Sequence, residues 1–233
     1  VVNVSQKLAE ACRRYLGEHG KIKVVGNGFN PDELYRGYSP LREKYRERKI
    51  ILSVGSLRKT KGHDLTLRAF KAVKEQFNQV VLLIIGGGEE RENLLNLARE
   101  LGIGEAVEII APLPHNTVME YMSVCDLFVL PSWSEGFGIV YLEAMAHGKP
   151  VIGVKGQGIS DVIRSGVNGL LVEPADQGDL ASAIFALLKD GGFAGELGAR
   201  ARDTVLREYT WTCSARKLIS IYRSLQAGSD ACV

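Results

Sequence analysis

The chain has 233 residues, 45% hydrophobic and 24% charged, with a mean hydropathy near zero and a formal net charge of +2. That length suits one large domain or one and a half, able to bury about 70% of the unfolded surface. No run reaches the roughly eighteen apolar residues of a membrane span, and the start lacks a signal-peptide pattern, so cytosolic or cytosolic-face residence is the default expectation.

Val1-Val2-Asn3-Val4-Ser5 reads as a buried strand ending in a helix cap, with a helix over residues 6–16. Asn27-Gly28-Phe29-Asn30-Pro31-Asp32 is turn-rich. Residues 1–79 carry 17 Lys or Arg against 8 Asp or Glu, and residues 80–233 carry 12 against 19. Part of the basic excess is Arg42, Lys44, Arg46, Arg48 and Lys49, read as the solvated face of a short helix opened by Ser39 and Pro40. No aromatic interleaving accompanies them, so no nucleic-acid partner is expected, whereas a membrane surface stays open.

Strands are predicted over 50–54, 80–85, 107–110, 127–130, 151–154 and 170–172. Helices fall between them at 64–76, 91–101, 115–122 and 138–147. Strands apolar throughout, alternating with amphipathic helices, argue an α/β fold: a Rossmann-like, doubly wound parallel sheet covered on both faces. Helices over 178–189, 194–208 and 213–225 close the chain. Cys12, Cys125, Cys213 and Cys232 are scattered, and His19, His63, His115 and His147 are isolated, so free thiols and no metal are expected.

The decisive stretch is 131–148, Pro-Ser-Trp-Ser-Glu-Gly-Phe-Gly-Ile-Val-Tyr-Leu-Glu-Ala-Met-Ala-His-Gly. Gly148 can end its helix in a left-handed conformation and Pro150 cannot continue it. Ile139, Val140, Leu142, Ala144, Met145 and Ala146 leave hardly any polar face, so the helix is buried on most sides. Glu143 within it needs a partner, because a buried carboxylate costs several kcal/mol otherwise. His147, one turn on, and a ligand diol fit equally well. Glu135 precedes the same helix beside Gly136 and Gly138, where free N–H groups favour oxygen-rich or anionic ligands; a solvated Glu in a plain turn fits the same pattern.

Glu135 and Glu143, inside Pro-Ser-x-x-Glu-Gly-Phe-Gly-x-x-x-x-Glu-Ala-Met-Ala-x-Gly-x-Pro-Val, resemble the paired-glutamate motif of retaining GT-B glycosyltransferases of family four, the glycosyl transferases group 1. Val54-Gly55-Ser56-Leu57 through Lys61-Gly62, Leu83 to Gly88, Asp126 to Ser132 and Val162 to Pro174 follow in the family's order. The resemblance implies a donor-binding C-terminal domain at 39–208, a remnant of an acceptor lobe at 1–26, an interlobe linker at 27–38, and a crossing helix and tail at 209–233. It implies a UDP-, GDP- or ADP-sugar donor, no cofactor or metal, and an acceptor sugar, lipid or small molecule held by another lobe.

By the same resemblance Glu143 takes the ribose hydroxyls, Lys61 the diphosphate, and Glu135 the donor sugar together with backbone N–H groups of Phe137, Gly138 and Ile139. Gly86 and Gly88 lie where open α/β sheets bind ligands, and Leu113 where relatives line the base pocket. Two departures stand out. Ser56 occupies the place of an arginine in many relatives, with Arg58 as the candidate replacement. In Gly156-Gln157-Gly158-Ile159-Ser160-Asp161, Gln157 replaces a glycine, Ser160 a proline and Asp161 a glutamate of the usual Gly-Gly-x-Pro-Glu. Two alternatives to a transferase remain: a sugar-nucleotide epimerase of GT-B fold and a non-catalytic nucleotide-binding module.

Overall fold

The computed structural model of the protein describes residues 1–16 and 22–230. His19 and Cys232 lie outside them; Cys12, Cys125 and Cys213 are free thiols. At the N-terminus β1 (Val2–Asn3) and β2 (Lys23–Val24) pair in parallel as a separate two-stranded sheet, with helix α1 (Gln6–Leu16) between them in sequence. Ser5 is fully buried and its Oγ accepts the Leu8 N–H at 3.3 Å, which makes it the expected cap. The strand itself is not buried, however: Val1 and Val2 are 64% and 45% exposed, because two short strands alone present no face to a core.

A short 3-10 turn, Pro31–Glu33, and the four-residue helix α2 (Leu41–Lys44) lead to the main domain. The basic run around α2 is not the plain solvated face expected. Lys44 pairs with Glu108 and Lys49 with Asp126, each at 2.9 Å, while Arg48 lies over the Tyr45 ring.

The main domain then alternates: β3 (Lys49–Val54), α3 (His63–Lys74), β4 (Val80–Ile85), α4 (Arg91–Glu100), β5 (Val107–Ile110), α5 (His115–Val124), β6 (Leu127–Val129), α6 (Ile139–Ala146), β7 (Val151–Val154) and β8 (Leu170–Val172). All six strands are parallel, in the order β5-β4-β3-β6-β7-β8. All six residues of β4 are buried, as an inner strand covered on both faces requires. Alternate residues go to opposite faces: Ile50, Leu52, Val81 and Leu83 join one core cluster, and Ile51, Leu82, Ile84 and Leu127 the other.

Three helices follow: α7 (Gln177–Lys189), α8 (Gly191–Glu208) and α9 (Trp211–Asp230). The start of α8 lies three residues before the expected 194, because the Asp190 carboxylate accepts the Phe193 N–H at 2.9 Å and caps a helix through two glycines. Phe29 bridges to Thr210 just ahead of α9, so the 27–38 segment is stitched to the C-terminal helices rather than loose.

Candidate functional site

In the sheet, β3 and β6 are neighbours, but the chain continues outward from β3 through β4 and from β6 through β7. At such a reversal the loops beyond the strands' carboxyl ends diverge and leave a crevice. Here the crevice is a cavity of about 500 Å³. The loop after β3 contributes Gly55, Ser56 and Lys61; the loop after β6 contributes Glu135 and Gly138; α6 contributes Ile139, Val140 and Glu143. Leu113, His115 and Val118 close the third side from the start of α5. A larger concavity, about 1080 Å³, opens beside residues 42–49 at the opposite ends of the strands, where oppositely charged side chains already neutralise one another.

Gly138 has φ 88°, a left-handed backbone, and directly precedes α6. The turn places the first residues of α6, Ile139 and Val140, on the cavity wall, and the first N–H groups of a helix lack intrahelical acceptors. Tyr141 anchors the helix from beneath: its hydroxyl is fully buried and donates to the Leu130 carbonyl, and burial raises its pKa well above the ordinary value.

Two carboxylates face this cavity, each only 13% exposed. Lys61 Nζ donates to Glu135 Oε2 at 2.7 Å, joining the loops after β3 and β6. Among the described residues Glu143 has no such partner. His147, one of its two expected partners, is turned away: Nδ1 donates to the Glu143 carbonyl at 2.8 Å and Nε2 accepts the Tyr35 N–H at 3.1 Å. The imidazole that approaches the carboxylate is His115, with Nδ1 at 3.9 Å from Glu143 Oε1 and Nε2 at 3.0 Å from Glu33 Oε2. His115 is therefore not isolated. Burial raises the Glu143 pKa, His115 opposes that shift and Glu33 adds to it.

His63 is buried behind this wall, its Nδ1 3.3 Å from Ser53 Oγ and its Nε2 without a partner. Burial lowers its pKa to about 4. The unfolded chain takes up this proton near the ordinary value of about 6.5, the folded chain only near 4, so stability falls as pH drops through that interval, by up to about 3 kcal/mol. Denaturant midpoints are expected to decline across it, and His63→Asn to flatten much of the decline. A wild-type midpoint that stays level would contradict a neutral, buried His63.

Of the residues singled out in the sequence, Ser56, Lys61, Leu113, Glu135, Gly138, Ile139 and Glu143 line the cavity. Arg58 is exposed and does not line it; Phe137 is 3% exposed and packs in the core, and Gly136 lies beneath Leu8 of α1. Gly86 and Gly88 also stand off the cavity wall and serve backbone packing. A Cβ on Gly86 would sit 1.9 Å from the Gly55 carbonyl oxygen, and one on Gly88 2.4 Å from that of Leu57. Sequence reasoning missed His115, Val118 and Val140 on the wall. The available signal was His115's position two residues after Leu113, behind Pro114, where a helix must begin.

A family model described as glycosyl transferases group 1 matches residues 40–204. An uncharacterized glycosyltransferase of Methanocaldococcus jannaschii is 33% identical over 233 residues, covering 96% of this chain and 59% of that protein. The D-inositol 3-phosphate glycosyltransferase of Corynebacterium jeikeium is 30% identical over 239 residues, covering 97% and 57%. This chain thus spans about three-fifths of the length of these curated relatives. Among solved structures, sucrose-phosphate synthase from Thermosynechococcus elongatus matches with a TM-score of 0.86 at 29% identity, over 98% of this chain and 58% of that one. The Anabaena protein HepE, solved in complex with UDP and glucose, shares the fold with a TM-score of 0.88 at 23% identity, over 96% and 63%. The matched segment contains all six strands of the main sheet and every residue of the cavity wall, and the chain belongs to the glycosyl transferases group 1.

Proposed function

We propose that this chain binds the donor, a nucleoside diphosphate sugar, for a retaining glycosyltransferase that moves a hexose-type sugar to an acceptor hydroxyl, with residues 39–208 as the donor-binding unit. The observation that carries this reading is the pair of half-buried carboxylates on one cavity, one holding a lysine and the other without a strong partner among the described residues. A carboxylate offers acceptor sites enough for two hydroxyls, and the ribose diol supplies the hydrogen bonds that buried Glu143 lacks. Lys61, Ser56 and the free N–H groups of α6 face the diphosphate. They stabilise the charge that develops on the leaving group without a metal. Glu135 then lies on the sugar side, and Leu113 and Val118 provide apolar surface for the base.

One fold neighbour, HepE, was solved with UDP and with UDP-glucose, which makes uridine the first base to test. Calorimetric titration with UDP, GDP and ADP is expected to give saturable binding for one of the three. No heat of binding for any of them would contradict the donor-site reading.

A further inference from the structure

The Gly156 to Asp161 loop departs from the family pattern at Gln157, and in the structure that side chain touches two separate elements. Its amide oxygen accepts from Lys7 Nζ on α1 and from the Glu135 backbone N–H, the latter at 3.1 Å. Two donors on one atom fix the orientation of the amide group. The next residue completes the hold on the same peptide segment: the Gly158 N–H donates to the Glu135 carbonyl at 3.1 Å. The packing is tight, since a Cβ on Gly158 would lie 2.1 Å from the Gly136 carbonyl oxygen.

Helix α1 is seated on this loop by a second bond, the Gln6 N–H to Asp161 Oδ2 at 2.7 Å. Among the described residues Lys7 makes no ion pair, so its ammonium is directed to the amide oxygen, a charge-assisted contact stronger than a neutral one. Glu135 is thereby held at both ends, its carboxylate by Lys61 and its peptide by Gln157.

We propose that Gln157 is a positioning residue that ties α1 to the Glu135 peptide and so sets how Glu135 meets the donor sugar. The sugar-side part rests on the donor-site reading above; the tie between α1 and Glu135 does not. A glycine at this place would have no side chain to form the tie. A displacement of α1 is transmitted to the Glu135 peptide through two hydrogen bonds.

The test has two arms, both on this chain. Hydrogen exchange at the Glu135 amide, followed by NMR without ligand, is expected to speed up roughly tenfold in Gln157→Ala, the factor that loss of one hydrogen bond implies. Lys7→Ala is expected to give a smaller increase, and Gln157→Glu, which keeps an acceptor oxygen, to restore protection. In the second arm, run with whichever of UDP, GDP and ADP binds and with its glucose conjugate, Gln157→Ala weakens the sugar nucleotide about fivefold and leaves the free nucleotide within about twofold, as loss of a sugar-side contact alone requires. Unchanged Glu135 exchange in Gln157→Ala overturns the proposal, as does unchanged exchange in Lys7→Ala. Equal weakening of the free nucleotide and the sugar nucleotide overturns the positioning role. If the wild-type chain binds none of UDP, GDP and ADP, the sugar-side role falls with the donor-site reading, and the exchange arm still decides the tie.

Discussion

Glu143→Ala is expected to weaken nucleoside diphosphate binding by more than about tenfold while leaving the fold intact. A hydrogen bond to a charged group contributes roughly 1.5–3 kcal/mol, and the ribose diol offers two. Loss of stability is not expected, because the carboxylate is half-buried without a strong partner among the described residues and its removal relieves that desolvation. Denaturant midpoints measured beside the titrations separate the two effects. The raised pKa of Glu143 adds a pH signature. Protonation removes acceptor capacity, so affinity falls as the solution is acidified toward that raised value, and it falls less steeply in Glu143→Gln. A dissociation constant unchanged in Glu143→Ala would remove Glu143 from the site.

Lys61→Ala is expected to lower turnover of the donor by about 100-fold or more, in the range found when one group that stabilises a developing negative charge is deleted. The lysine reaches the cavity from the loop after β3 and is 22% exposed, so its charge acts in a partly desolvated setting. In this structure it is held by Glu135; under the proposed donor site the leaving diphosphate shares or takes that ammonium. Lys61→Ala also leaves Glu135 without its cation, so a modest loss of stability accompanies the kinetic effect. Lys61→Arg keeps the charge and recovers part of the rate. The readout is donor hydrolysis or transfer by the whole protein, and a rate within about twofold of wild type excludes Lys61 from leaving-group stabilisation.

The doubly wound sheet was legible because its signal is local. Fully apolar runs such as Val80–Ile85 identify inner strands, and the 131–148 stretch carries both carboxylates on a single turn and helix. Neighbours set by tertiary contact were not legible. Spacing offered His147 as a partner for Glu143, but a bond from its ring to the backbone carbonyl one turn earlier turns it toward Tyr35. His115 comes to Glu143 from another helix, 28 residues earlier in the chain. Gln157 meets Lys7 across a separation of 150 residues, a contact without any short-range pattern. Gly86 and Gly88 stand at a strand's carboxyl end, where ligand approach and a plain strand-to-helix turn suit glycine equally, and the sequence leaves both open. The 1.9 Å that would separate a Gly86 Cβ from the Gly55 oxygen shows that close backbone packing by itself requires a glycine there.

The central claim is that the cavity at the β3/β6 reversal takes a nucleotide through its ribose. The most direct measurement is calorimetry of the wild-type chain with UDP, GDP and ADP, then with the 2′,3′-dideoxy form of whichever binds. The account predicts one saturable nucleotide and a loss of about tenfold or more when the ribose hydroxyls are absent. Equal affinity for the ribo and dideoxy forms would contradict it.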